Sequence, residues 1–281
     1  MVAANPSLRW NLIDSSSSFS TFSAVLAAFM FAAIVLLLTR ELHRDLRGRI
    51  EPAIETHLIA QPIALMLGAL FSLVVAAFLF AAMAGDGGKL EAAQFVEGTM
   101  PCLALSLGVV QMAVALAWLL HIRGLYGPPL ELAGYVVDAA IAIVAVFLPG
   151  VFLSAIFQHL IHPVPPADAG SIWLVMVAGL LLAIVVGRVA GRWARPKLDG
   201  KNQVHQPGVL RLLNVISVAT VVVATVLWNI LSSTPKTDLD SIYTTPVGIV
   251  VTVVVLLLLI AIFAAFEAVT PRDSWKSGRP S

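Results

Sequence analysis

Seven long apolar stretches, almost free of charge, take up more than half of this chain, at about 20–39, 57–84, 100–121, 131–158, 171–190, 209–231 and 246–267. A helix needs roughly 20 apolar residues, each rising about 1.5 Å, to cross a hydrocarbon core of about 30 Å. Each stretch meets that length. Lipid offers no partner to a backbone N–H or C=O, so a crossing segment of this kind has to satisfy its own groups as a helix. The expected fold is all-α: one polytopic membrane domain over 1–281 with seven transmembrane helices. Charged residues are 12% of the chain, against about 25% in a soluble domain. The connectors are short and leave no room for a separate soluble catalytic domain.

The net charge of +1 gives no reason to expect a nucleic-acid partner, but the distribution of charge is informative. Arg40, Arg44, Arg47 and Arg49 follow the first stretch, and Arg123 follows the third. Arg188, Arg192, Arg195, Lys197, Lys201 and Arg211 surround the fifth-to-sixth connector. With Arg272, Lys276 and Arg279 these make 14 of the 17 basic residues, all on one side of the expected arrangement. The other side holds Arg9, Lys89 and Lys236, together with seven acidic residues, among them Asp86, Glu91 and Glu97. Basic loops stay in the cytoplasm during insertion. This puts the N-terminus outside and the C-terminus inside, as an odd number of spans requires. The Ala, Val and Arg usage suggests a bacterial inner (plasma) membrane. Anionic lipid is a natural partner for the inner basic loops. Loops 40–56 and 191–208 are also where a cytoplasmic protein would dock.

Residues 1–19 end in a serine run, Ser15 to Ser18, expected as an outer tail or the cap of the first helix. No basic leader precedes the first stretch, so it is expected to be retained rather than cleaved as a signal. Two halves of the chain resemble one another. Gln61-Pro62 opens the second stretch and Gln206-Pro207 the sixth; Thr99-Met100-Pro101 opens the third and Thr244-Thr245-Pro246 the seventh. At the same offset of 145 residues, Leu65, Leu67 and Ser72 match Leu210, Leu212 and Ser217. The pattern fits a 3+1+3 arrangement, two parallel triple-helix units joined by the fourth span, as in some transporters. In outline the topology is similar to that of the SWEET and PQ-loop transporters. Their prolines inside the first helix of each triple are missing here, and Gln-Pro stands where they have Pro-Gln, so the likeness is topological. A rhodopsin-like reading fails because 246–267 holds no lysine to bind retinal.

Polar residues inside the stretches are the candidates for function. A carboxylate at a helix centre costs about 2.5–3.5 kcal/mol on insertion scales and marks ion or proton paths. Asp138 is in the fourth stretch, and Pro149-Gly150 further along it would kink the helix and free carbonyls. Gln111 is central in the third stretch and Asn214 lies early in the sixth. Such amides either bond between helices or line a solute path. Gly187 and Gly191 form a G-x-x-x-G at the end of the fifth stretch. Cys102 is the only cysteine, and no cofactor or metal centre is expected. H-E-x-x-H, G-x-S-x-G and G-x-x-x-x-G-K motifs do not occur, which leaves the chain without a recognisable enzyme site.

The best reading is translocation of a small solute or ion. The alternatives are a non-catalytic subunit and a redox anchor holding haem between His57 and His121, which fall at the inner ends of the second and third stretches. A purified sample decides the last: haem gives a Soret band, and its lack removes this reading.

Overall fold

The computed structural model describes residues 12–45, 53–85, 91–122, 129, 132–141, 206–233, 261–266 and 268–270, all helical apart from Thr270. Four long helices dominate: α1 (Leu12–Asp45), α2 (Ala53–Gly85), α3 (Glu91–Ile122) and α5 (Gln206–Ser233). Between α3 and α5 lies the short apolar helix α4, Leu132–Ile141. Each long helix holds a stretch long and apolar enough to cross a membrane: Ser15–Thr39, Ala60–Gly85, Met100–Ile122 and Gly208–Ile230. The stretches expected at 171–190 and, for most of its length, 246–267 lie outside the described residues.

Two boundaries differ from the sequence reading. The serine run is part of α1, not a tail, and Ser16 is fully buried. Helix α3 starts at Glu91, inside the segment expected as an outer loop, so Pro101 falls within a helix that has already formed. Pro62 is likewise inside α2. Both prolines mark where the apolar stretch begins rather than where the helix begins.

Helix α2 is the hub, packing on α1, α3 and α5. The inward stripe of α1 is Ser16, Ser23, Ala27, Met30 and Ile34, a spacing of three, four and seven that keeps one face of a helix in contact with its neighbour. Small residues at its start let α1 come close to α2. Ser20 Oγ donates to the Ala77 carbonyl at 2.9 Å, and the Phe19 and Phe80 rings stack with centroids 5.3 Å apart. The start of α1 therefore meets the end of α2, and the two are antiparallel. The opposite face of α1 presents Phe22, Phe29, Phe31 and Leu36 outward. Large apolar side chains on the outside are what a lipid solvent would favour.

The α2–α3 seam rests on Gly108. A Cβ there would stand 2.8 Å from Leu73 Cγ and 3.3 Å from the Ala69 carbonyl. Glycine lets Leu73 fill that space and brings the two backbones together. Leu73 sits opposite Gly108 and Gly68 opposite Gln111, an antiparallel register. Helix α5 meets α2 near Ala64, within the first half of both helices. Its later residues Val221 and Ala224 remain in the core. At the end of the chain, Trp118 Nε1 donates to the Val269 carbonyl at 3.2 Å, anchoring this segment beside the last turn of α3. The Thr270 N–H and hydroxyl both bond the Phe266 carbonyl, and Pro271 follows, a residue that cannot extend the ladder. Thus α1 begins at the end of the bundle where α2 finishes, and Val269 lies where α2 starts.

Replacing Gly108 with Val overpacks this seam. The expected loss is about 1–3 kcal/mol of stability, measured as a lower midpoint in detergent-to-denaturant unfolding, with Gly108→Ala milder.

Candidate functional site

Three helices bring polar groups together deep in the bundle. Gln111 is the central residue of the apolar stretch Met100–Ile122, and Ser72 lies at the centre of Ala60–Gly85. Both are fully buried. Ser72 Oγ shares its one proton between the Gly68 carbonyl at 2.9 Å and Gln111 Oε1 at 3.3 Å. Gln111 Nε2 donates to Asn214 Oδ1 at 3.0 Å, and Asn214 Nδ2 donates to the Ala64 carbonyl at 3.0 Å. The chain has one direction, from hydroxyl to amide to amide to main chain. The Ala64 carbonyl can only accept, so the Asn214 nitrogen faces it; Asn214 Oδ1 then faces the Gln111 nitrogen, and this fixes both amide orientations. Aligned donors polarise one another in a low-dielectric site.

Glycine makes the arrangement fit. Asn214 Oδ1 occupies the position that a Cβ on Gly68 would take, and Gln111 Nε2 lies 2.9 Å from that position. Gly68 therefore serves as a socket for the amide. It belongs to a run of small residues four apart, Ala64, Gly68, Ser72 and Ala76, on the side of α2 that meets α3 and α5. Small residues at this spacing allow close helix approach. The same spacing was apparent at Gly187 and Gly191, which lie outside the described residues. In α2 it was the signal that could have found the socket, and the sequence reading passed over Gly68.

Of the residues singled out from sequence, Gln111 and Asn214 are brought into direct contact, and Ser72 joins them. Asp138 is half-buried on α4, one position beyond Val137 on the stripe Ala133, Val137 and Ala140 that packs into the core. Pro149 and Gly150 lie outside the described residues. His57 falls on α2, where only the backbone is described. His121, in the last turn of α3, meets the Trp118 ring edge-on with centroids 5.9 Å apart. Asn229 on α5 donates to the Thr225 carbonyl of its own helix. Trp228, beside it, is buried against the protein. Among the described residues no three His, Cys, Asp or Glu side chains gather as metal ligands. Residues 40–45 and 53–56 of the basic loop 40–56 continue the helices α1 and α2, whereas most of 191–208 is outside the described residues.

The offset of 145 residues aligns burial as well as identity. Leu65 and Leu210 are each 1% exposed, Leu67 and Leu212 are 50% and 58% exposed, and Ser72 and Ser217 are fully buried. The buried residues of α5 are Leu210, Leu213, Ser217, Val221, Ala224 and Trp228, and each falls 145 positions after a buried residue of α2. Both serines also donate to the carbonyl four residues back. The amides break the correspondence: Ala69 stands where Asn214 would map, and Leu256 where Gln111 would.

Interhelical hydrogen bonds in apolar surroundings are worth about 0.6 kcal/mol on average and up to about 1.7. A double-mutant cycle of Gln111→Leu and Asn214→Leu is expected to return a coupling in this range by unfolding in detergent. Carboxamides do not titrate, so the coupling should be the same at acid and alkaline pH. No family model, curated protein or solved structure matches this chain.

Proposed function

We propose that this chain is a seven-span translocator of a small solute or ion in a bacterial inner membrane, with its N-terminus outside and its C-terminus in the cytoplasm. The observation that carries the reading is the amide chain at mid-bundle, Gln111 to Asn214, at the junction of α2, α3 and α5. Polar groups are costly at that depth and gather where a fold handles polar cargo. The junction also lies where two triple-helix units would meet, and repeat interfaces hold the substrate sites of many transporters. The matched burial of α2 and α5 supports the duplication.

In this reading the paired amides are the closed form of the path. A solute with hydrogen-bonding groups exchanges places with one amide as it passes, and Asp138 on α4 supplies charge at the neighbouring span.

Reconstitution in liposomes tests this with defined probes: a panel of small neutral polyols and the chlorides of sodium and potassium, followed by light scattering after an osmotic step. The protein is expected to pass at least one probe faster than empty liposomes do. Gln111→Leu should lower that flux at least about tenfold, an effect worth roughly 1.4 kcal/mol on the barrier, with helical content unchanged by circular dichroism. Asp138→Asn is expected to abolish it, and unaltered flux would remove Asp138 from the mechanism. Failure of every probe overturns the translocation reading.

A further inference from the structure

Every oxygen along the amide chain already accepts a proton. The Ala64 and Gly68 carbonyls take side-chain donors, Asn214 and Ser72, in addition to their place in the α2 ladder. Asn214 Oδ1 accepts from Gln111, seated in the space left by the missing Cβ of Gly68. Gln111 Oε1 holds the longer share of the Ser72 proton, at 3.3 Å. The N–H groups are not used up in the same way. A carboxamide nitrogen carries two hydrogens. Gln111 gives one of them to Asn214, and the other meets no acceptor among the described residues. Gln111 is fully buried, so bulk water does not reach that hydrogen. A buried donor left open is costly, and such a group in a native fold calls for a partner.

We propose that the second N–H of Gln111 is the donor that first meets the translocated solute, and that this solute is small, neutral and bears a hydroxyl or carboxamide group. The assignment rests on the translocation reading of the same site and gives it a substrate class. The ligand has to bring a lone pair, which a sodium or potassium ion lacks. It also has to come without charge. Ser72, Gln111, Asn214 and the two carbonyls offer no counter-charge, and an unpaired buried ion costs far more than a buried neutral group. Asp138 is not among the hydrogen-bond partners of these groups. A hydroxyl or carboxamide brings a proton of its own as well, and Gln111 Oε1, bonded only at 3.3 Å, is an acceptor on the same side chain. Solute and Gln111 then bond in both directions before the solute takes the place of Asn214.

Gln111→Glu separates this N–H from the rest of the site. At about pH 5 a buried carboxyl is protonated. Its O–H can donate to Asn214 and its carbonyl can accept from Ser72, so both bonds within the protein survive and only the second N–H is lost. In liposomes at that pH, followed by light scattering after an osmotic step, the native chain is expected to pass erythritol or acetamide faster than empty liposomes do. Which of the two passes tells hydroxyl from carboxamide, and sodium and potassium chloride should stay at the empty-liposome rate. Gln111→Glu should keep its helical content and lower the neutral flux by about two- to tenfold, the worth of one hydrogen bond. Native flux in the folded variant overturns the assignment, since a purely structural Gln111 would be replaced without loss. Flux of either chloride through the protein overturns the substrate class and leaves translocation standing, whereas failure of every probe removes both. If Gln111→Glu does not fold, the native chain isotopically labelled at its glutamine amide nitrogens decides. The Gln111 pair, identified by the slowest exchange with water, should show one proton resonance moving when the passing probe is added, and an unmoved pair overturns the assignment.

Discussion

A carboxamide surrounded by hydrocarbon has only protein to bond to. An unsatisfied amide in an apolar medium costs several kcal/mol, more than any single packing contact returns. That cost orders the centre of this molecule. Gln111 is fully buried, so its oxygen and nitrogen each take a partner, from Ser72 and Asn214. Asn214 in turn reaches the Ala64 main chain. Each bond dictates the orientation of the next, and the sequence of donors ends on a carbonyl that can accept a second hydrogen bond. The relative height of α2, α3 and α5 follows from that chain, because sliding any one of them by a turn would strand an amide.

Packing around the chain follows the rule for helices in lipid, where apolar side chains gain little by leaving one apolar phase for another. Close contact and hydrogen bonds have to hold the helices instead. Small residues therefore occupy the seams: Ser16, Ser23 and Ala27 of α1, Gly68, Ala69 and Ala76 of α2, Ala104 and Gly108 of α3. Bulky side chains such as Phe29, Phe78 and Leu36 point outward. The hydroxyls are accommodated by the helices themselves. Thr21, Ser23, Thr39, Ser72, Ser217, Thr220 and Thr225 each donate to the carbonyl four residues back, which removes the polar cost without needing a neighbour. Ser20 is different. It reaches across to Ala77 and helps to set the register of α1 on α2.

The resemblance between α2 and α5 connects these local rules to the architecture. Ser72 of α2 and Ser217 of α5 both face inward, and burial follows the same phase in the two helices. The amides set them apart, since Gln111 and Asn214 have no polar counterparts at the matched positions.

Lipid-compatible length was written in the sequence for α2, α3 and α5, because apolar runs of that size have one way of crossing hydrocarbon. Candidate amides were legible too: Gln111 and Asn214 stand out as polar residues in apolar runs, at positions 103 residues apart. Their meeting was not legible. Pairing across helices depends on rotation and relative height, which residues far apart in the chain fix jointly and which no local pattern encodes. The start of α1 was missed because serines favour caps and turns in isolation, whereas here close packing on α2 and bonds to nearby carbonyls keep them helical. Gly68 carried no chemical signal beyond its size, and its role appears only when the oxygen of Asn214 is placed where its side chain would have been. Composition and periodicity thus determined the solvent, the helices and the polar suspects, whereas the tertiary packing decided which of them touch, since contact is a property of three helices at once.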